Sequence, residues 1–135
     1  MSISIAYWCV LAAALLPYVW VAIAKRATRG YDNRDPRGSV ARQQDPRVHR
    51  AYAAHLNSFE AFPAFAAGVV IAQLAGVPDA RVAALAVAFV VLRVLYGLCY
   101  LGDRALARSL AWAGGLACSV ALLALAARQA ATLAS

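Results

Sequence analysis

Charged residues are scarce in this chain. Asp, Glu, Lys and Arg together make up 14% of the 135 residues, whereas 64% of the residues are hydrophobic and the mean hydropathy is +0.65. A soluble domain of this length needs far more polar surface to face water. The composition therefore excludes an ordinary soluble domain and indicates a membrane protein.

Cysteine and histidine are also few. The three cysteines, Cys9, Cys99 and Cys118, all fall within apolar stretches, which is neither a disulfide framework nor the spacing of a metal site. His49 and His55 are six residues apart and cannot bind one metal ion from a regular helix. We expect no metal site and interpret the cysteines as packing residues.

The chain does have long apolar runs, and a membrane-crossing helix needs roughly 20 such residues. Four runs approach or exceed this length: Ile3 to Ala24, Ala51 to Leu74, Ala80 to Leu101 and Leu110 to Ala126. The sequence therefore predicts an all-α protein, an up-down four-helix bundle that is integral to the membrane. We expect one domain over residues 1–135, with helices near 3–24, 46–74, 80–101 and 109–127.

The first run has an alternative interpretation as a signal peptide, because Ala22, Ile23 and Ala24 resemble a cleavage site. No basic residue precedes the run, however, and the run is longer than the hydrophobic part of a typical signal peptide. We expect the first helix to remain as a membrane anchor.

The basic residues are unevenly distributed. Eight of the thirteen lie in the first loop and at its edges: Lys25, Arg26, Arg29, Arg34, Arg37, Arg42, Arg47 and Arg50. Basic loops stay on the cytoplasmic side of a membrane. With Arg104 and Arg108 in the third connection, we expect both of these loops in the cytoplasm, both termini on the opposite side, and a bacterial inner membrane as the location. The net charge of +7 thus indicates membrane lipids rather than nucleic acid as a partner.

The first loop, Lys25 to Arg47, contains several turn-forming residues and has two interpretations. Long loops of this kind often cover or form binding sites. Its arginines can equally hold anionic lipid head groups. Both functions are compatible with one loop.

Polar residues at membrane depth are costly unless they pair or face a cavity, so they usually indicate function. Asn57 and Glu60 lie one turn apart on the second predicted helix, on the same face as Arg50. Arg93, Tyr96 and Tyr100 share a face of the third helix. At 1.5 Å per residue, Glu60 and Arg93 lie about 13 and about 12 Å from the same membrane surface. We therefore expect a direct contact between Glu60 and Arg93.

These side chains form either a purely structural clasp between helices or a ligand site. A clasp needs two polar residues, whereas this level supplies five, with Arg104 and Arg108 just above, so we favour the ligand site. Arginines bind carboxylates and Glu60 can receive an ammonium group, which indicates a peptide-like ligand. If the ligand carries a thiol, a nearby arginine stabilises the thiolate.

The segments Asn57-Ser-Phe-Glu60, Arg93-Val-Leu-Tyr96-Gly-Leu-Cys-Tyr100 and Arg108-Ser109 resemble the MAPEG family, the membrane-associated proteins in eicosanoid and glutathione metabolism. The resemblance covers nearly the whole chain. It implies a homotrimer with glutathione, as co-substrate, bound between subunits near the cytoplasmic face. It also implies that Asn57, Glu60, Tyr96, Tyr100 and Ser109 hold glutathione.

The same resemblance gives Arg108 the role of stabilising the thiolate, with Arg26 as the counterpart of a first-helix arginine near the thiol. We add Arg50, Arg93 and Arg104 to the expected glutathione-binding residues. The chain departs from the family pattern at Ala53 and Leu56, where members carry arginine, at Ala61, where an aromatic residue occurs, and at Trp112, where a tyrosine occurs. Arg50 and Arg47 are the basic residues that can compensate, although one helical turn displaces a side chain by about 5.4 Å.

We therefore expect a membrane-embedded, glutathione-dependent transferase, peroxidase or isomerase that acts on a lipophilic electrophile. A non-catalytic bundle of the same fold is an alternative, because arginine is missing at 53 and 56. A small multidrug or proton-coupled transporter is a weaker alternative, since such proteins carry their essential glutamate in the first helix, where this chain has none.

Overall fold

The computed structural model describes residues 1–133, and these residues form helices without any β-strand, with 84% of the structure helical. The helices are α1 (Ile3–Ala27), α2 (Pro36–Ala41), α3 (Pro46–Leu74), α4 (Asp79–Leu101) and α5 (Ala105–Leu133). Four of them are long, with 23 to 29 residues each. The short connections after α3 and α4 make successive long helices antiparallel.

Asp-Pro pairs begin two of the helices. Asp45 caps α3 and accepts a hydrogen bond from the Arg47 amide at 2.9 Å, with Pro46 as the first helical residue. Asp35 and Pro36 begin α2 in the same way. The interpretation of residues 25–47 as a loop without a helix is therefore wrong at α2.

Gly38 explains why α2 is hard to recognise from the sequence. Glycine normally weakens a helix, but here the absence of a side chain leaves room for the folded-back Asp35 carboxylate, which a Cβ at this position would overlap. The Arg42 guanidinium donates to this carboxylate at 2.9 Å, and together with the Gly38 amide it lowers the pKa of Asp35. Both side chains are exposed, so this pair contributes little to stability.

Helix α5 begins at Ala105, four residues before the expected start. The Gly102-Asp103 turn, in which Asp103 has φ of 57°, ends α4 and lets the chain resume a helix at once. Arg108 lies inside this first part of α5 because a charged residue at a helix end near the membrane surface does not interrupt the helix.

The long helices pack so that α3 and α4 meet across the bundle, while α1 and α5 lie on opposite sides and each contacts both of them. Glycines permit the close approaches. Gly97 of α4 lies against the Trp20 indole, and a Cβ on Gly68 of α3 would be 3.1 Å from the Leu122 Cβ. In the centre, the rings of Phe65 and Phe89 stack with centroids 3.8 Å apart.

Within residues 1–133, α1, α4 and α5 are long and apolar enough to cross a membrane. Helix α3 has 29 residues but does not meet the same criterion of apolarity. It carries Asn57, Glu60 and Gln73 within the second predicted apolar run. These polar residues lower the hydropathy of α3 below that of the other long helices.

We expect Gly97→Ala to destabilise the bundle, because the new methyl group would overlap Trp20. Overpacking of this kind costs about 1–3 kcal/mol, and the melting temperature of the detergent-solubilised protein should fall by several degrees. Gly115→Ala is the matched control, since its Cβ would be 3.5 Å from Arg93 Cδ, an ordinary contact. Equal melting temperatures for the two variants would contradict this description of the packing.

Candidate functional site

Arg93 is the buried centre of a polar cluster. The residue is only 2% exposed, and its Nη2 donates a hydrogen bond to Asn57 Oδ1 at 2.9 Å. The Asn57 Nδ2 in turn donates to Glu60 Oε2 at 2.9 Å. A chain of two hydrogen bonds therefore runs from α4 to the exposed edge of α3.

The predicted direct contact between Glu60 and Arg93 is wrong. Within the described residues, no nitrogen of Arg93 comes within 4.0 Å of a Glu60 oxygen. Asn57 lies between them because it is one turn before Glu60 on the same face of α3, and its amide both accepts from Arg93 and donates to Glu60. The depth match is correct, but one amide separates the two charges.

Arginines and tyrosines alternate in a stack beside this chain. The Arg93 guanidinium lies 4.2 Å from the centroid of the Tyr96 ring, and Tyr96 meets Tyr100 edge to face at 5.6 Å. The Arg108 guanidinium of α5 then lies 4.6 Å from the Tyr100 ring. Cation–π contacts hold an arginine without neutralising it, so Arg108 keeps its positive charge available.

Two adjoining cavities open between α3 and α5, and Asn57 and Trp112 border both. The first, of about 210 Å³, is mostly apolar, and its lining includes Ala61, Ala64, Phe89 and Leu116, together with Glu60 and Arg93. The second, of about 260 Å³, is polar and is completed by Tyr96, Tyr100, Arg108 and Ser109. A polar chamber and an apolar chamber therefore meet at Asn57.

Arg93 has unused hydrogen-bonding capacity at this junction. A guanidinium carries five N–H groups, and the hydrogen bond to Asn57 is the one that the Arg93 guanidinium makes with residues 1–133. Buried polar groups are normally satisfied by a partner. The arginine therefore offers donors to a molecule that enters the apolar cavity it lines.

Seven of the ten predicted site residues come together around these cavities: Asn57, Glu60, Arg93, Tyr96, Tyr100, Arg108 and Ser109. The Ser109 hydroxyl also donates to its own helix, at the Ala105 carbonyl. The remaining three residues, Arg26, Arg50 and Arg104, line neither cavity.

Arg50 lies at the start of α3, and its Nη1 is 3.6 Å from Asp103 Oδ2 in the α4–α5 turn. It therefore ties two elements together instead of replacing the missing arginine at Ala53. Arg26 and Arg104 are exposed, and their side chains form no hydrogen bond or ion pair with other residues of the 1–133 range.

The contribution of α5 to the apolar cavity is not among the predictions from the sequence. Trp112, Gly115, Leu116 and Ser119 line this cavity. Helical spacing could have indicated this lining, because residues 108, 112, 115 and 119 are three or four positions apart and therefore share one face of α5.

A model of the MAPEG family matches residues 5–128, nearly the whole chain. The chain belongs to the MAPEG family. No curated protein and no solved structure matches it. Family membership and three membrane-length apolar helices make this MAPEG chain an integral membrane protein with an all-helical bundle.

Replacing Asn57 with Leu should destabilise this MAPEG bundle. The substitution leaves the buried Arg93 guanidinium without its acceptor, and a hydrogen bond to a charged group contributes about 1.5–3 kcal/mol. Ser109→Ala is the control, because it removes only a hydroxyl that bonds within its own helix. Thermal melts in detergent check the difference, and Asn57→Leu melting no lower than Ser109→Ala would show that Arg93 does not depend on Asn57.

Proposed function

We propose that this MAPEG chain is a membrane-embedded, glutathione-dependent enzyme of the transferase or peroxidase type, acting on a lipophilic electrophile. The observation that carries the proposal is the meeting of the polar and apolar cavities at Asn57 and Trp112. Together the two cavities reach the size of about 300–1,000 Å³ that small-molecule sites have. A hydrophilic thiol and a hydrophobic substrate can therefore lie side by side.

The donor and acceptor groups suit a small acidic peptide. Arg108 can bind a carboxylate, because a guanidinium matches the carboxylate geometry. The buried Arg93 can do the same with the N–H groups that do not bond to Asn57. Glu60 is an acceptor for an ammonium group, and the amide of Asn57 can bond to a peptide group. These residue types match what glutathione requires, and the binding residues in this proposal are Asn57, Glu60, Arg93, Tyr96, Tyr100 and Ser109.

Arg108 is the residue we assign to thiol activation. When bound, glutathione supplies a thiol as the nucleophile. The Arg108 charge, held over Tyr100 but unpaired with any carboxylate within residues 1–133, favours the thiolate and lowers a thiol pKa that is about 8.5 in water. Arginine stays protonated, so the thiol proton passes to solvent and not to Arg108.

The apolar cavity is the place for the electrophile. Ala61, Ala64, Phe89 and Leu116 offer no hydrogen bond through their side chains and exclude water from one side of the reacting sulfur.

Assembly as a homotrimer completes this proposal. Glu60 is exposed on the single chain, and a neighbouring subunit over the α3–α5 groove would keep it from contact with lipid. In that arrangement α3 is the fourth spanning helix, and the exposed Arg26 of one subunit reaches the site of the next.

The proposed orientation places the first loop and the third connection in the cytoplasm and both termini on the opposite side of the membrane. The membrane in this proposal is a bacterial inner membrane.

A second candidate function is a non-catalytic bundle that binds another amphiphile. The contact between Arg50 and Asp103 favours it, because Arg50 then does not supply the charge missing at Ala53 and Leu56. Calorimetry distinguishes the two candidates, since only the enzyme requires glutathione binding.

The test is glutathione conjugation of a chromogenic aryl halide by the purified protein in detergent or nanodiscs. We expect turnover by the unaltered chain and a loss of about 100-fold or more in kcat for Arg108→Ala, the effect of removing one preorganised electrostatic group. Arg128→Ala is the matched control on the other end of α5. Absence of turnover with several electrophiles, combined with no heat of glutathione binding, would reject the enzyme.

A further inference from the structure

A separate cavity of about 150 Å³ lies where α1, α2 and α3 meet, away from the α3–α5 groove. We call it the α1–α2 cavity, and its lining includes Val21, Lys25, Arg37, Val40, Tyr52 and His55. It lies at the end of the bundle where the apolar helices give way to the basic first loop. Because basic segments next to apolar helices favour the membrane surface, we place this level there.

Two cations line this cavity without a carboxylate partner. Arg42 is paired with Asp35 and Arg50 with Asp103, whereas neither Lys25 nor Arg37 forms an ion pair with any of residues 1–133. The Lys25 ammonium instead lies 5.3 Å from the Tyr31 ring. The cavity therefore presents uncompensated positive charge, which favours an anion.

An aromatic strip begins at the same cavity and descends along the outer side of α1 and α3. Tyr52 lies 5.6 Å from the His55 ring, His55 lies 5.1 Å from Phe59, and Phe59 lies 5.7 Å from Tyr18. Phe59 and Tyr18 are 42% and 57% exposed. The His55 ring is fixed by a hydrogen bond of 2.8 Å with the Pro17 carbonyl. A charged pocket is thus continuous with an apolar surface inside the membrane.

We propose that the α1–α2 cavity binds the phosphate head group of an anionic phospholipid, with an acyl chain lying along Phe59 and Tyr18. Lysine and arginine at the membrane surface attract anionic head groups, while aromatic rings suit the interface below. A soluble phosphate would use the cations but leave the strip unoccupied, so the lipid is the better fit. The proposal is independent of glutathione.

The experiment measures lipid binding to the purified full chain by native mass spectrometry, with phosphatidylglycerol and phosphatidylcholine of equal acyl length. Phosphatidylglycerol should bind at least tenfold more tightly. Lys25→Ala/Arg37→Ala should weaken it about tenfold or more, since each surface cation contributes roughly fivefold. The matched control, Arg34→Ala/Arg47→Ala, removes the same charge from exposed residues of the first loop that do not line the cavity. Only attraction at a distance is then lost, and because salt screens it, the affinity should change by about twofold at most.

Three outcomes overturn the proposal: equal binding of the two lipids, equal losses in the two double variants, or inorganic phosphate that competes as well as phosphatidylglycerol. If Lys25→Ala/Arg37→Ala fails to fold, Lys25→Gln and Arg37→Gln are measured singly. Each single variant should bind phosphatidylglycerol severalfold more weakly. Unchanged affinity in both variants would also overturn the proposal.

Discussion

The hydrogen bond from Arg93 to Asn57 joins α4 to α3 across the bundle, and the arrangement of the site depends on it. Arg93 is only 2% exposed, and its guanidinium must find acceptors or polarisable neighbours, because an uncompensated buried charge is costly. Asn57 supplies an acceptor and Tyr96 supplies a ring face. The hydrogen bond to Asn57 fixes the register of α3 against α4, while the Tyr96 ring stabilises the guanidinium from within α4.

The groove between α3 and α5 follows from the same register. Small residues on α5, notably Gly115 against Phe89 and Arg93, let the helix pass close to α4 and leave space beside Asn57. Trp112 then borders both cavities, while Arg108 lies at the polar end over Tyr100. The polar and apolar cavities are thus two ends of one groove between α3 and α5, and the buried Arg93 lies beside their junction.

Counting residues along helices predicts much of this site. The common depth of Glu60 and Arg93 follows from a constant helical rise, and the shared face of Arg93, Tyr96 and Tyr100 follows from the helical period. Such counting does not give the length and direction of each side chain. These decide that Asn57 lies between Glu60 and Arg93. The pairing of Arg50 with Asp103 also depends on a turn that the pattern of apolar runs leaves unspecified. Helix α2 does not follow from helix propensity, because Gly38 would normally weaken a helix but here leaves room for the Asp35 carboxylate.

The most direct measurement is a structure of the purified protein with glutathione bound. We expect the peptide in the polar cavity, with Asn57 and Glu60 on its backbone and its sulfur beside Arg108, facing the apolar cavity at Trp112. Glutathione bound outside the α3–α5 groove, or its sulfur far from Arg108, would contradict the proposed site.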